Sequence, residues 1–221
     1  EYTVSEVARE PQYLDREVFH RVLLRHESGA YVLPAPRDYR SWLNCTPGDI
    51  QRLIRFAATM FDVVLCDTPG TYNDVVGAAV EVSDRVVAVT STDPASLKNA
   101  ALLVEHFRMK GRPDDALIVT LVHGHREAAS SRRDVEFVIG RPVNFEVPFD
   151  PAVRKATQAG VPVVRHRPGA PAARVFEALA AAVAGYPPPV AAGEVRARFF
   201  GVFGRKARQT GAQPGGERAA V

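Results

Sequence analysis

The segment Phe61–Gly70, FDVVLCDTPG, constrains the fold more than any other part of the chain. An unbroken apolar run suits a parallel strand buried on both faces. It stops at Asp67, so a carboxylate stands at the mouth of that strand. Such a group is costly to bury unless a cation or hydrogen-bond donors compensate it. One reading is a plain cap on the Pro69–Asp74 turn; the other is a carboxylate kept for chemistry. The same run carries Cys66, which is expected to pack in the core as a reduced thiol.

The rest of the chain alternates strand-like and helix-like patterns. Asp15 is placed to cap a helix through Val18, Phe19, Val22 and Leu23 that stops at Gly29, and Ala30–Leu33 reads as a short strand. Thr46-Pro47 pairs a capping hydroxyl with proline at the first helical position and predicts a helix to about Met60. Val75–Val82, Pro94–Lys110, Asp134–Ile139, Pro151–Ala159 and Pro171–Ala184 read as further helices. Arg85–Thr90, Ala116–Val122 and Val143–Val147 read as strands. Four strands alternating with helices imply right-handed crossovers and a three-layer α/β fold with a mainly parallel sheet. Ligands of such sheets sit beyond the carboxyl ends of the strands, where Asp67, Thr90, His123 and Pro148 are expected to converge.

Two cysteines exclude a disulfide scaffold, and no apolar run reaches the ~18–20 residues that span a bilayer, so a cytoplasmic protein is expected. The net charge of +3 is unevenly placed. From Glu194 onward there are six Lys/Arg against two Glu, leaving a body with 22 basic and 23 acidic residues. The balanced body argues against DNA binding, although Arg154, Lys155, Arg165, Arg167 and Arg174 could form a patch.

Four blocks in order, YVLPAP (Tyr31–Pro36), FDVVLCDTPG, SDRVVAVTSTDPASLKNA (Ser83–Ala100) and VPFDPAVRKATQAGVPVV (Val147–Val164), resemble the Min/ParA group of deviant Walker ATPases. The likeness is greatest to the CpaE/TadZ branch of pilus-assembly and septum-site proteins. It implies an α/β, three-layer, mainly parallel sheet of the P-loop NTPase (Min/ParA, SIMIBI) type over residues 1–185. It also implies ATP and Mg as cofactors, with nucleotide-dependent homodimers acting as spatial organisers. Asp67 matches the Walker B carboxylate, reaching Mg²⁺ through a water, and Thr68, Pro69 and Gly70 match the switch that senses the γ-phosphate. Pro148, Phe149 and Asp150 match the loop beside the base. His123 falls where many relatives carry an adenine-binding asparagine; histidine cannot reproduce the two-sided amide pattern.

The sequence departs from the resemblance in one large respect. No G-x-x-x-x-G-K-[ST] occurs, and Lys98, Lys110, Lys155 and Lys206 follow no suitable glycine loop. The chain opens with Glu1, and loss of an upstream loop by truncation is the expectation, with the 221 residues inactive alone. Without the loop's strand, Val63–Cys66 is expected to expose an apolar edge or to need a substitute partner. DTPG also occurs in GTPases, but Leu121–His125 offers no N-K-x-D guanine reader. His123 and His125 with Glu127 make a poor metal site, having no further ligand at a defined spacing.

Residues 186–193 read as a Pro-rich linker and 209–221 as a disordered tail. Between them, 194–208 is a basic amphipathic segment. Phe199, Phe200 and Phe203 with Arg205 and Lys206 suit an anionic membrane surface, and peripheral association at the inner face of the cell membrane is one expectation; a helix docking on the body or a partner, or a disordered basic end, is the other. The alternative function is a nucleotide-independent localisation scaffold that keeps the fold and has discarded the chemistry.

Overall fold

The computed structural model describes residues 2–43, 45–125 and 130–185. The chain enters through α1 (Val4–Arg9), whose cap Thr3 forms a reciprocal box with Glu6, and a 3-10 turn over Pro11–Leu14. Asp15 then caps α2 (Arg16–Val22) by accepting from the Glu17 and Val18 amides. Beyond it, β1 (Leu24–Arg25) pairs antiparallel with β2 (Tyr31–Val32). Gly29, at φ 89°, belongs to the turn of this hairpin and does not end the helix. That corrects the expectation, and the reason is local: a residue with φ > 0 serves a tight turn as readily as a helix terminus.

After α3 (Tyr39–Leu43), Thr46 and Pro47 open α4 (Pro47–Ala57), which stops a turn short of Met60. Asn73 caps α5 (Asp74–Val82), and β3 (Val86–Thr90) leads into α6 (Pro94–Met109). The helix α6 has Asp93 as its cap and Pro94 at its first position. Then come β4 (Leu117–Val122), α7 (Arg132–Ile139), β5 (Phe145–Val147), α8 (Pro151–Gln158), α9 (Val163–His166) and α10 (Pro171–Ala184). A Ser131–Asp134 box starts α7, and Gly140 and Gly185 end α7 and α10 in the left-handed conformation.

The strands form one parallel sheet in the order β3-β4-β5. Alternation along β4 builds the layers. Leu117, Val119 and Leu121 face α5, α6 and α7, meeting Val76, Val80, Val104, Phe107, Val135 and Ile139. Ile118 faces the opposite way, with Phe145 and Val147, onto Ala172, Val175 and Ala178 of α10. A separate cluster joins α1, α2 and α4 to α5 through Val7, Phe19, Ile50, Leu53 and Ala79. The α/β three-layer, mainly parallel architecture read from the sequence is therefore the one observed.

The fourth strand expected, Val63–Cys66, does not form. The run has no backbone hydrogen bond to any described residue. Val64 is half-buried against the helical cluster, whereas Val63 and Leu65 are 52% and 81% exposed and Cys66 is exposed rather than in the core. Val64 alone turns inward, so strand-like alternation is not sustained to Cys66, and no described strand pairs with the run. The edge strand β3 is bare in the same way, with Val89 64% exposed. The expected apolar edge is present.

Candidate functional site at the strand ends

Asp67 sits at the end of the unpaired run, exposed, and makes no hydrogen bond or ion pair with any described residue. It is not the cap of the following turn: Asn73 caps α5 by accepting from the Val76 amide at 2.9 Å. The carboxylate is therefore free to meet a hydrated cation. Thr68, Pro69 and Gly70 are exposed alongside it, and a Cβ at Gly70 would meet nothing within 4 Å. Across residues 62–72 a single hydrogen bond reaches the body, from Asn99 Nδ2 to the Gly70 carbonyl at 3.0 Å.

At the end of the adjoining strands, the His123 amide donates to the Val147 carbonyl at 3.0 Å, which brings His123 beside the loop that starts at Pro148. The ring of His123 turns to Glu146, with Nε2 and Oε1 2.7 Å apart. A network backs that pair: Arg132 lies 3.7 Å from Glu146 and donates to Glu136 at 2.9 Å and to the Val143 carbonyl. With Nε2 taken by the carboxylate, Nδ1 is the ring nitrogen left for a ligand. One ring nitrogen is therefore already committed inside the protein.

Pro148 is half-buried and Phe149 is 42% exposed. Asp150 is occupied structurally: its carboxylate accepts from the Ala152 amide at 2.9 Å and the Ala172 amide at 3.3 Å, capping α8 and tying it to the start of α10. Thr90, 2% exposed, closes β3 with its hydroxyl 3.2 Å from Ser96 Oγ of α6. Contacts thus gather His123 with the Val147–Asp150 loop, and Thr90 with α6. The Asp67 segment is linked to α6 by the Asn99–Gly70 hydrogen bond and by the contact of the Tyr72 and His106 rings.

No group of three or more His, Cys, Asp or Glu able to hold a metal occurs among the described residues, and Glu127 lies outside them. The linker 186–193, the segment 194–208 with Phe199, Phe200, Phe203, Arg205 and Lys206, and the tail 209–221 also lie outside the described residues. No helix among the described residues is long and apolar enough to cross a membrane. Sequence reasoning missed Glu146 and Asn99. An acidic residue in the middle of the apolar strand FEV and an amide on a long helix were the only signals available for them.

No family model matches the chain. It is 27% identical over 165 residues to an uncharacterized ATP-binding protein of Methanocaldococcus jannaschii, MJ0169, covering 75% of this chain and 62% of that protein. With the antiactivator FleN of Pseudomonas aeruginosa it shares 25% identity over 178 residues, 76% of this chain and 64% of FleN. The chain therefore spans about six-tenths of the length of these curated relatives. Among solved structures it is similar to a ParA family ATPase of Chlorobium tepidum, at TM-score 0.71 and 19% identity over 83% of this chain and 75% of that one. It is also similar to the septum site-determining protein MinD of Pyrococcus horikoshii, solved with Mg-ADP, at TM-score 0.65 and 18% identity over 83% and 72%. The fold is that of the ParA/MinD P-loop ATPases.

Proposed function

We propose that this chain, which has the ParA/MinD fold, is the larger part of an ATPase that binds ATP with Mg²⁺ and organises other components in space. The observation that carries this reading is Asp67, a carboxylate without a partner among the described residues, at the end of an apolar run. Mg²⁺ with ATP supplies charge neutralisation and a transferable phosphoryl group when bound. Asp67 fits that ion as a hydrogen-bond acceptor for a metal-bound water, and the Thr68 and Gly70 amides, which donate to no described residue, would be available to a terminal phosphate. His123, through Nδ1, and the Pro148–Phe149–Asp150 loop would border the base.

The residues present do not supply the phosphate cradle. Backbone amides of a glycine-rich loop and a lysine ammonium provide it in such sites. We propose that this loop comes from outside the 221 residues, and that its strand pairs with the bare Val63–Cys66 run and the edge of β3. Alone, the 221 residues then bind Mg·ATP weakly or not at all. The finer assignment is to the CpaE/TadZ branch: a nucleotide-dependent homodimer in pilus assembly or septum-site placement. Residues 194–208 would meet an anionic membrane through Phe199, Phe200, Phe203, Arg205 and Lys206; loss of sedimentation with anionic liposomes on deleting 194–221 tests that contact.

The experiment is a titration with a fluorescent ATP analogue and Mg²⁺, on the 221 residues and on a form carrying the loop. Binding only by the loop-bearing form, abolished by Asp67→Ala, is the expected result. Equal binding by Asp67→Ala would remove Asp67 from the metal site. A loop-bearing form that ignores ATP would favour the alternative, a nucleotide-independent scaffold, for which the commitment of His123 to Glu146 is the supporting observation.

A further inference from the structure

The stretch 62–72 makes no backbone hydrogen bond to the described residues, yet two side chains of one helix hold it. Asn99 donates to the Gly70 carbonyl at 3.0 Å, and the His106 ring lies 4.7 Å from the Tyr72 ring, tilted by 48°. Asn99 and His106 are seven residues apart on α6, which places them two turns apart on one face. Tyr72 also lies across Gly77 of α5, where an added Cβ would meet its hydroxyl at 3.1 Å. The frame behind this contact is tied together: Lys110 bonds Glu81 at 2.9 Å, and Arg112 bonds the Glu81 and Ser83 carbonyls at 3.1 and 2.6 Å. The Gly70–Tyr72 end of the free loop is thus anchored at two points to a fixed helix pair.

We infer that Asn99 and His106 form a two-point latch that holds the Gly70–Tyr72 segment in a resting position, and that a phosphate drawing Gly70 toward itself has to break the Asn99 bond. The second clause rests on the function proposed above; the first does not. Asn99 is in this sense a positioning residue, acting on the loop rather than on the nucleotide. A glycine carbonyl with one donor is a weak, reversible tie, which suits a latch better than a permanent fastening. The site a ligand would bind and the helix that follows β3 become mechanically one unit.

Backbone ¹⁵N relaxation of the 221-residue chain tests the latch without any nucleotide. Gly70, Thr71 and Tyr72 are expected to be ordered in the wild type, with S² near about 0.8. In Asn99→Asp, which keeps the shape and lacks the donor, S² should fall below about 0.6 at Gly70. His106→Ala should loosen Tyr72 and leave Gly70 ordered, which a general loss of stability would not do. A loop already mobile in the wild type, or one unchanged in Asn99→Asp, overturns the latch. In the loop-bearing form, Asn99→Leu, which removes the donor without placing a charge beside the phosphate, should tighten Mg·ATP binding roughly two- to twelvefold, the fraction of competent loop rising as the tie is lost. Unchanged affinity together with a loosened loop refutes the claim that the bond must break. Absence of Mg·ATP binding in the wild-type loop-bearing form sinks the proposed function alone, and the relaxation data still decide the latch.

Discussion

Replacing Leu65 with asparagine in the 221-residue chain should change its stability very little. Complete burial of a leucine side chain is worth about 1.5–3 kcal/mol. With Leu65 81% exposed, only about a fifth of that is realised, roughly 0.3–0.6 kcal/mol. For a chain of this length that is a melting shift of about 1–2 °C. The control is Leu121→Ala on β4, where the side chain is 0% exposed and truncation costs about 2–5 kcal/mol, a fall of roughly 10 °C. Both are read by differential scanning calorimetry, with sizing chromatography at the same concentration. Leu65→Asn should also run as a more uniform species, because it removes apolar area from an unpaired edge. If instead Leu65→Asn melts as early as Leu121→Ala, the run is covered in solution, and the missing-strand argument fails for this chain. In a form that supplies the strand, the same change should cost as much as a core substitution.

Three further outcomes are expected. Asp67→Ala should leave the melting temperature within the change given by about 0.5 kcal/mol, because the carboxylate has no partner to lose among the described residues, while removing Mg·ATP binding from the loop-bearing form. Asp150→Ala should lower stability by about 1–2 kcal/mol, read as an earlier thermal transition, since one carboxylate serves the amides of both Ala152 and Ala172. The Ser131 hydroxyl, then its amide, hold the Asp134 carboxyl below the usual carboxylate range. A depressed acid stabilises the fold above its unfolded pKa, about 3.9, and loses that contribution as pH falls through the lower folded value. A Ser131→Ala variant should titrate Asp134 higher by NMR and show a smaller loss of stability below about pH 4.

Much of the fold was legible because caps are written locally. Thr46-Pro47, Asp93-Pro94 and Asp150-Pro151 each announce a helix start, and the structure places α4, α6 and α8 there. The strands β3, β4 and β5 were legible from composition, and the layers followed from alternation along Leu117–Val122. Val63–Cys66 was not, because a strand is a property of two chains. Its apolar pattern encodes a demand for neighbours and carries no information on whether they are present. The second strand of the β1–β2 hairpin was read within Ala30–Leu33, but its partner Leu24–Arg25 was missed, because two residues are too short to show a period. At the candidate site, Asp67 and Gly70 could be singled out because the apolar run points to them. Glu146 and Asn99 act through partners 23 and 29 residues away in the chain, and such contacts leave no mark on local sequence.

The course of α10 sets where anything attached beyond it begins. Its first turn lies by the carboxyl end of β5, where the Ala172 amide meets Asp150; its last turn lies by the amino end of β3, where Arg85 donates to the Ala182 carbonyl. The helix therefore carries the backbone from one pole of the sheet to the other and releases it at Gly185, on the far side from Asp67, His123 and Pro148. An attachment at that end could be tethered, bulky or bound to a surface without crowding the mouth of the strands, so under the proposed function an anchor and a captured ligand would sit at opposite poles of the sheet.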